Sequence, residues 1–392
     1  MRHFDVLIAG GSISGLLAAR EVAAGGLSVA VLEEDAEIGT PEHCGGLVSI
    51  AGVRDLGIVP DAKTIENDRI TRARIFSSSY SFEINAERQK VMVLDRRAFD
   101  KQIAFQAQKM GAEIKVKCPM RSYAKDNSEY VVRTSEGDLS CTYFVDARGI
   151  MSIIARSREG VLQSAQYEVY APWIQTDTIE VVFDAANYPG FFAWIIPSGR
   201  GAGKVGVAGK RINAATALQS YINNKGEHAL VRKIYAPIWV NGPLDNFVYD
   251  RTIIVGDAAG QSKPTTAGGI YSCGMGGLLA GQAIVNTASE VAKKNVDPPI
   301  LLRQYEKNWL SIFRDEFMNL LLVRRLFERL DNKAIDDLVS AVSPEVLEEA
   351  SGQTDFDFHS TAIAKILGAK ATAKMAKALL GNEVRRFFTD RS

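Results

Sequence analysis

The chain is poor in the residues that staple or tether a fold. It holds four cysteines in 392 residues, Cys44, Cys118, Cys141 and Cys273, far apart and without a CxxC pair. That spacing excludes a disulfide framework and offers no cysteine cluster for a metal. No run of 18 apolar residues occurs, so no membrane-spanning helix is expected. An excess of one charge is also missing. The 46 Lys and Arg balance the 46 Asp and Glu, and nothing in that balance points to nucleic acid. The first strand begins almost at once, so no signal peptide is expected. The expected location is the cytoplasm, with peripheral membrane contact left open. Apolar and charged fractions of 46% and 23% are ordinary for a globular chain, and the length allows one large α/β unit or two interleaved subdomains.

What is present begins at residue 4. Phe4 to Ala9 is a short apolar run of the kind a buried parallel strand shows. Gly10, Gly11, Ser12, Ile13, Ser14 and Gly15 make a turn of small residues, and Leu16 to Ala24 suits a helix that Gly25 and Gly26 stop. A second apolar run, Val29 to Leu32, ends on Glu33 and Glu34. Strand, turn, helix, strand and acid is the order of a dinucleotide-binding βαβ unit. Gly10 permits the tight turn, amide groups at the helix start face a pyrophosphate, Gly15 allows close packing, and Glu33 accepts from a ribose. Ser12 stands where the middle glycine of GxGxxG belongs, so the approach of the pyrophosphate must adapt to a Cβ.

Further along, Pro41, Glu42, His43, Cys44, Gly45 and Gly46 form an irregular loop. Such a loop can set Cys44 against a flat cofactor, or simply bury a small cysteine in a tight turn. Strands are expected within 69–94, followed by a helix from about Arg97 to Met110 with Phe99, Ile103, Ala107 and Met110 inward. Arg96, just before it, has a plain role in solvating the helix start. Phe144 to Asp146 is a strand that ends in a turn containing Gly149. Residues 161–249 read as a more antiparallel subdomain whose aromatics serve a core or an apolar cleft. Thr252 to Val255, then Gly256 and Asp257, then Gly268, Gly269 and Ile270 before a helix of small residues, repeat the strand-turn-helix style. Those small residues mean close backbone approach or tight packing. From 300 onward the chain reads as helical. Its segment 360–388 is basic, either a solvated cap or dimer surface or a contact for anionic lipid.

Three blocks, Gly10 to Glu33, Arg96 to Asp100 and Gly256-Asp257, fall in the order seen in FAD-dependent oxidoreductases that resemble p-hydroxybenzoate hydroxylase. Within that superfamily the chain looks most like the geranylgeranyl reductases. Their PxxC motif falls on Pro41 to Cys44, and their YxWxFP motif reads here Phe192, Ala193, Trp194, Ile195, Ile196, Pro197, followed by Gly206, Val207, Ala208. Phe192 replaces the tyrosine and so removes a phenolic donor. The same residues are equally close to the WxWxIP pattern of flavin-dependent halogenases.

The resemblance implies an α/β fold: a Rossmann-like FAD-binding domain (1–160 and 250–295), an interleaved antiparallel-sheet substrate domain (69–94 and 161–249) and a helical C-terminal region (296–392). It implies FAD held by Gly10, Gly11, Ser12, Ser14, Gly15, Glu33, Glu34, Cys44, Gly45, Arg96, Gly149, Gly256, Asp257, Gly268, Gly269 and Ile270. Substrate would lie on Phe192, Trp194, Ile196 and Pro197. Hydride would pass from N5 of reduced flavin to a double bond of a geranylgeranyl or related polyprenyl lipid, with Cys44 beside the ring and His43 assisting. The donor of electrons is NADPH or reduced ferredoxin, the latter a partner protein. A monooxygenase or halogenase acting on a small aromatic is the alternative.

Overall fold

The computed structural model describes residues 1–126, 129–154, 157–294, 297–353, 355–366 and 368. Strand β1 (Arg2–Ala9), helix α1 (Ile13–Ala24) and strand β2 (Val29–Leu32) open the chain as the apolar runs dictate. β1 lies between β2 and the strand Gly137–Asp146, parallel to both. A strand covered on both faces needs apolar side chains at every position. Val6 and Ile8 accordingly enter one core while Phe4, Leu7 and Ala9 enter another across the sheet. Glu113–Lys115 extends the parallel sheet beyond β2, and Thr252–Ile254 joins it on the far side of Gly137–Asp146.

The small residues of the helix Ile270–Lys294 prove to be packing residues. A Cβ at Gly277 would stand 2.0 Å from the Ser14 carbonyl oxygen, and one at Gly281 would stand 2.8 Å from that of Ala18. The helix therefore lies backbone to backbone against α1, beneath the turn at Gly10.

A second, mostly antiparallel sheet runs Ala229–Tyr235, Val161–Tyr170, Ala202–Gly209, Ala193–Gly199, Thr178–Val182, Arg72–Phe76, Ser81–Asn85. One pair within it, Thr178–Val182 with Arg72–Phe76, is parallel. The period of two divides its faces. Ala165, Tyr167, Val169, Ile195, Val205 and Val207 pack with Leu218 and Ile222 of the helix Ala214–Lys225. Tyr167 and Tyr188, expected for either a core or a cleft, belong to that core. Val91–Leu94 is not part of this sheet but forms a small one with Leu47–Ser49 and Ile65–Asn67.

Asp95 caps the helix Arg96–Lys109 by accepting from the amides of Arg97 and Ala98. Phe99, Ile103 and Ala107 are buried as their spacing requires, but Met110 is 53% exposed, one residue beyond the helix and off its inward face. The C-terminal part is helical over Pro298–Phe327, Asn332–Ser340 and Pro344–Gln353. The first of these buries Leu302, Tyr305, Trp309, Phe313 and Phe317. Residues 356–360 then return to the body of the fold, where Phe358 stacks on Phe313 at 5.6 Å. Lys370, Lys374, Lys377, Arg385, Arg386, Phe387 and Phe388 of the basic segment lie outside the described residues. Among the described residues no helix is long and apolar enough to cross a membrane, and no group of His, Cys, Asp or Glu is set to hold a metal.

Candidate active site

The parallel sheet ends in a turn that steric contact specifies. Gly10 has φ +109°, and a Cβ there would meet the Ala147 carbonyl oxygen at 2.2 Å. A Cβ at Gly15 would meet the Gly10 oxygen at 2.0 Å. These contacts seat the start of α1 directly on the sheet's edge. Ser12 occupies the N-cap position with extended backbone, yet its side chain caps nothing. The first amides of α1, without intrahelical partners, thus face a cleft of about 540 Å³ at the positive end of the helix dipole.

Glu33, at the end of β2, accepts from the Gly11 amide at 2.7 Å and from the Asp35 amide at 2.9 Å. Each carboxylate oxygen keeps a further lone pair for a hydroxyl. Glu34, Gly149 and Arg148 stand along the same cleft, and Arg148 is oriented by Asp146 at 2.9 and 2.8 Å. Nothing lies within 4 Å of where a Gly149 Cβ would be, so this stretch of wall opens on free space. The fit to a dinucleotide is direct: uncapped amides for a pyrophosphate, an acid for a ribose, and space between them.

The other end of the cleft collects His43, Cys44, Arg96, Asp257, Gly269, Ile270 and Cys273. Arg96 is buried rather than solvating a helix start. Its Nε and Nη2 bind both carboxylate oxygens of Asp100 at 2.9–3.0 Å, and its charge lies beside Cys44. Burial opposes that charge, but Asp100 and Cys44 outweigh it and hold the guanidinium pKa above its usual range. Asp257 faces the cleft. Enclosure pushes its carboxyl up, against the hydrogen bond it accepts from Cys273 Sγ at 3.4 Å. Gly256 is fixed from behind by Gln261 Oε1, which accepts from its amide at 2.7 Å; Gln261 in turn donates to the Tyr305 hydroxyl at 2.8 Å. Ser14 and Gly256 meet below the cleft, since a Gly256 Cβ would touch Ser14 Oγ at 2.4 Å. Gly268 is exposed in the adjoining loop.

The loop carrying Cys44 is pinned to the second sheet. Glu42 is fully buried, and its carboxylate accepts from Lys204 Nζ at 2.6 Å and Arg232 Nη2 at 2.9 Å, with Arg97 at 3.4 Å. Burial works to raise the Glu42 pKa, but Lys204 and Arg232 outweigh it and hold it below the usual carboxylate range. Lys204 also reaches Glu66 at 2.9 Å, whose carboxyl burial pushes up. Gly45 fits under Ile196, whose Cδ1 would lie 2.6 Å from a Gly45 Cβ.

Of the motif on the second sheet, Trp194 and Ile196 point toward this loop, whereas Pro197 is buried with Ala193 and Ile195 on the alternate positions. Trp194 lies across Gly206, where a Cβ would clash at 2.2 Å. Phe192 and Trp194 pack on the same buried cluster of Leu162, Phe191, Ala208 and Val240 as Ile238 and Ala267, two residues of the cleft wall, so they stand in the layer behind that wall and not in its lining. Tyr235, Ala236, Pro237 and Trp239 complete an apolar stretch of lining that no motif marks. Gln166, Lys204 and Arg232 were equally silent in the sequence, being isolated polar residues in strands.

Residues 3–225 match the family model described as FAD binding domain. A digeranylgeranylglycerophospholipid reductase of Methanopyrus kandleri is 30% identical over 370 residues, covering 88% of this chain and 96% of the relative. A second reductase of that name, from Methanothermobacter thermautotrophicus, is 29% identical over 371 residues, with 89% and 94% covered. Among solved structures, a geranylgeranyl bacteriochlorophyll reductase-like protein of Thermoplasma acidophilum superposes with TM-score 0.80 at 23% identity, covering 100% of this chain and 99% of that one. The flavin-dependent brominase Bmp2 superposes with TM-score 0.68 at 18% identity, covering 96% and 98%, which shows the shared fold. This chain belongs to the FAD binding domain family, as an FAD-dependent oxidoreductase of the geranylgeranyl reductase group.

Proposed function

We propose that this chain reduces carbon–carbon double bonds in a geranylgeranyl or related polyprenyl lipid. The observation that carries the reading is the placement of the Pro41-to-Cys44 loop at one end of the same cleft that the α1 turn opens, in a chain whose relatives are named as prenyl-lipid reductases. The hydride for such a reduction is the chemistry that bound, reduced FAD supplies, from its N5 position.

The chain's own residues do the rest. Gly10, Gly11, Ser12, Ser14 and Gly15 present amides to the pyrophosphate, and Glu33 holds the adenosine ribose. Asp257 hydrogen-bonds the ribityl region, and Gly268, Gly269 and Ile270 supply backbone near the ring. Arg96, kept charged by Asp100, places a cation beside Cys44. Cys44 accepts a hydrogen bond from the Gly46 amide at 3.3 Å, which orients the sulfur. The apolar lining of Tyr235 to Trp239, backed by Phe192 and Trp194, excludes water from an alkene that offers little but apolar area.

The test is anaerobic. The flavin-loaded protein is reduced with dithionite and mixed with geranylgeranyl lipid or diphosphate. Flavin reoxidation and product mass are followed together. A gain of about two daltons per reduced bond accompanies reoxidation if the reading holds. Reoxidation only when oxygen and a small aromatic are supplied refutes it. The same assay, started with NADPH or with reduced ferredoxin in place of dithionite, identifies the electron donor.

A further inference from the structure

Gln166 sits on the strand Val161–Tyr170 and is 7% exposed. Its amide makes two hydrogen bonds. Trp194 Nε1 donates to Gln166 Oε1 at 3.2 Å, and Gln166 Nε2 donates to the Cys44 carbonyl oxygen at 3.2 Å. The orientation is forced by chemistry. An indole N–H only donates and a carbonyl only accepts, so a flipped amide would lose both bonds at once. One side chain thus spans the distance between the tryptophan behind the cleft wall and the backbone of the cysteine in the cleft.

Both ends of this bridge are otherwise tightly set. Trp194 lies flat across Gly206, whose missing Cβ makes the room. Two residues before Cys44, Glu42 is clamped by Lys204 and Arg232. Between those anchors the Cys44 peptide has one side-chain partner from the second sheet among its hydrogen bonds, and that partner is Gln166. An amide of a buried bridge is costly to leave half-paired, so the two bonds stand or fall together.

We infer that Gln166 is a positioning residue that ties the Cys44 backbone to Trp194 behind the apolar wall, so that this bridge fixes where the cysteine stands in the cleft. The inference rests on the reading of the cleft as a prenyl-lipid reductase site. It requires no contact between Gln166 and the substrate.

Two variants test it. Gln166→Met keeps length and apolar volume but makes neither bond. Trp194→Phe keeps an aromatic wall but removes the N–H. FAD content, read from the flavin-to-protein absorbance ratio, reports whether each variant is folded and loaded. Alkylation of Cys44 by iodoacetamide, read by mass spectrometry on the substrate-free protein, reports the position of the thiol without turnover; Cys118, Cys141 and Cys273 are buried and serve as internal controls. Both variants should load FAD as the parent does and should change the Cys44 alkylation rate severalfold in the same direction. They should lower kcat by about tenfold with KM within about twofold, the scale of a small misplacement at a reacting centre. The double variant should match either single one, because both break the same bridge.

Unchanged alkylation and unchanged kcat in Gln166→Met, with the parent reducing prenyl lipid, overturn the inference and leave the functional reading intact. A raised KM with kcat unchanged also overturns it, since that is loss of binding rather than of position. If the parent reduces no prenyl lipid but the alkylation rates shift together, the bridge stands and the functional reading falls. Should Gln166→Met fail to load FAD, the alkylation and kcat of Trp194→Phe decide alone.

Discussion

Lys204 Nζ donates to Glu42 Oε1 across 2.6 Å in the interior, joining the second sheet to the loop that carries Cys44. The two residues are 162 positions apart in the chain, and both are almost wholly out of solvent. Attraction between buried charges does not by itself add stability, but breaking such a pair strands a charge. Lys204→Met should therefore destabilise the fold by about 3–5 kcal/mol in urea denaturation. Adding Glu66→Gln should recover part of that loss, because Glu66 is then left facing no cation from Lys204. An unshifted midpoint in the single variant would show that the pair is dispensable.

The same carboxylate sets an acid limit. Glu42 has a folded-state pKa below the ordinary 4.5, so its contribution is complete above that value and is lost as pH falls through the lower folded value. The acid limb of a stability–pH curve below about pH 4.5 should be steeper in the parent than in Glu42→Gln. Parallel limbs would contradict the assignment.

His359 acts in a higher window. Burial, helped by the charge of Lys263, takes its pKa from 6.5 down to about 3. The unfolded chain then binds a proton that the folded one refuses, so stability declines as pH drops from 6.5 toward 3. Its Nε2 lies 3.3 Å from Thr265 Oγ1, on the loop before Gly268. His359→Gln should retain flavin better than the parent across that interval, measured as free flavin fluorescence. Equal release from both proteins would remove His359 from the account.

Cys44→Ala should leave flavin binding intact, since no helix or strand depends on the thiol, and should lower turnover by about a hundredfold or more if the thiol handles a proton. Spectral titration with FAD and multiple-turnover assays separate the two effects. Full activity with authentic substrate would end the catalytic role.

Gly277→Ala probes the helix pair. Its Cβ would press on the Ser14 carbonyl at 2.0 Å, and backbone cannot yield as a flexible side-chain end can. Displacing α1 moves the amides of the turn, so a lower melting temperature should come with weaker flavin retention. Gly26→Ala, where nothing lies within 4 Å, should be the milder change despite its φ of +81°.

Local chemistry explains which features the sequence displays. The turn at Gly10, Glu33 at the strand end, and the Gly256-Asp257 corner sit within a few residues of the strands that aim them, so spacing alone marks them. Gln166, Lys204 and Arg232 work through partners 122, 162 and 190 residues away, and a single polar residue in a strand gives no sign of that. Glu42 was visible only as an unspecified position of PxxC, though it carries the loop's main anchor. The motif around Trp194 was legible as a pattern, but strand alternation divides it. Trp194 and Ile196 turn toward the Cys44 loop while Pro197 turns away. Arg324, a cation in the long helix Pro298–Phe327 that no motif marks, is 4% exposed and lies 5.4 Å over the Phe191 ring.

The returning segment at 356–360 bears on how the protein is made. Asp357 accepts from the hydroxyl of Ser49, the cap of an early helix, 308 residues before it. Phe356 offers its carbonyl to Lys263, and Ser360 binds Glu316. At about 5–20 residues per second, a ribosome needs roughly 15–60 s to pass from Ser49 to Asp357. During that interval the opening βαβ unit is already synthesised while the loop near Gly268 still lacks the segment that fastens it. The loop near Gly268 is therefore fastened late in the life of the nascent chain, and a polypeptide interrupted before residue 356 would leave the ribosome with the turn at Gly10 built and that loop without the contacts of Phe356 and His359.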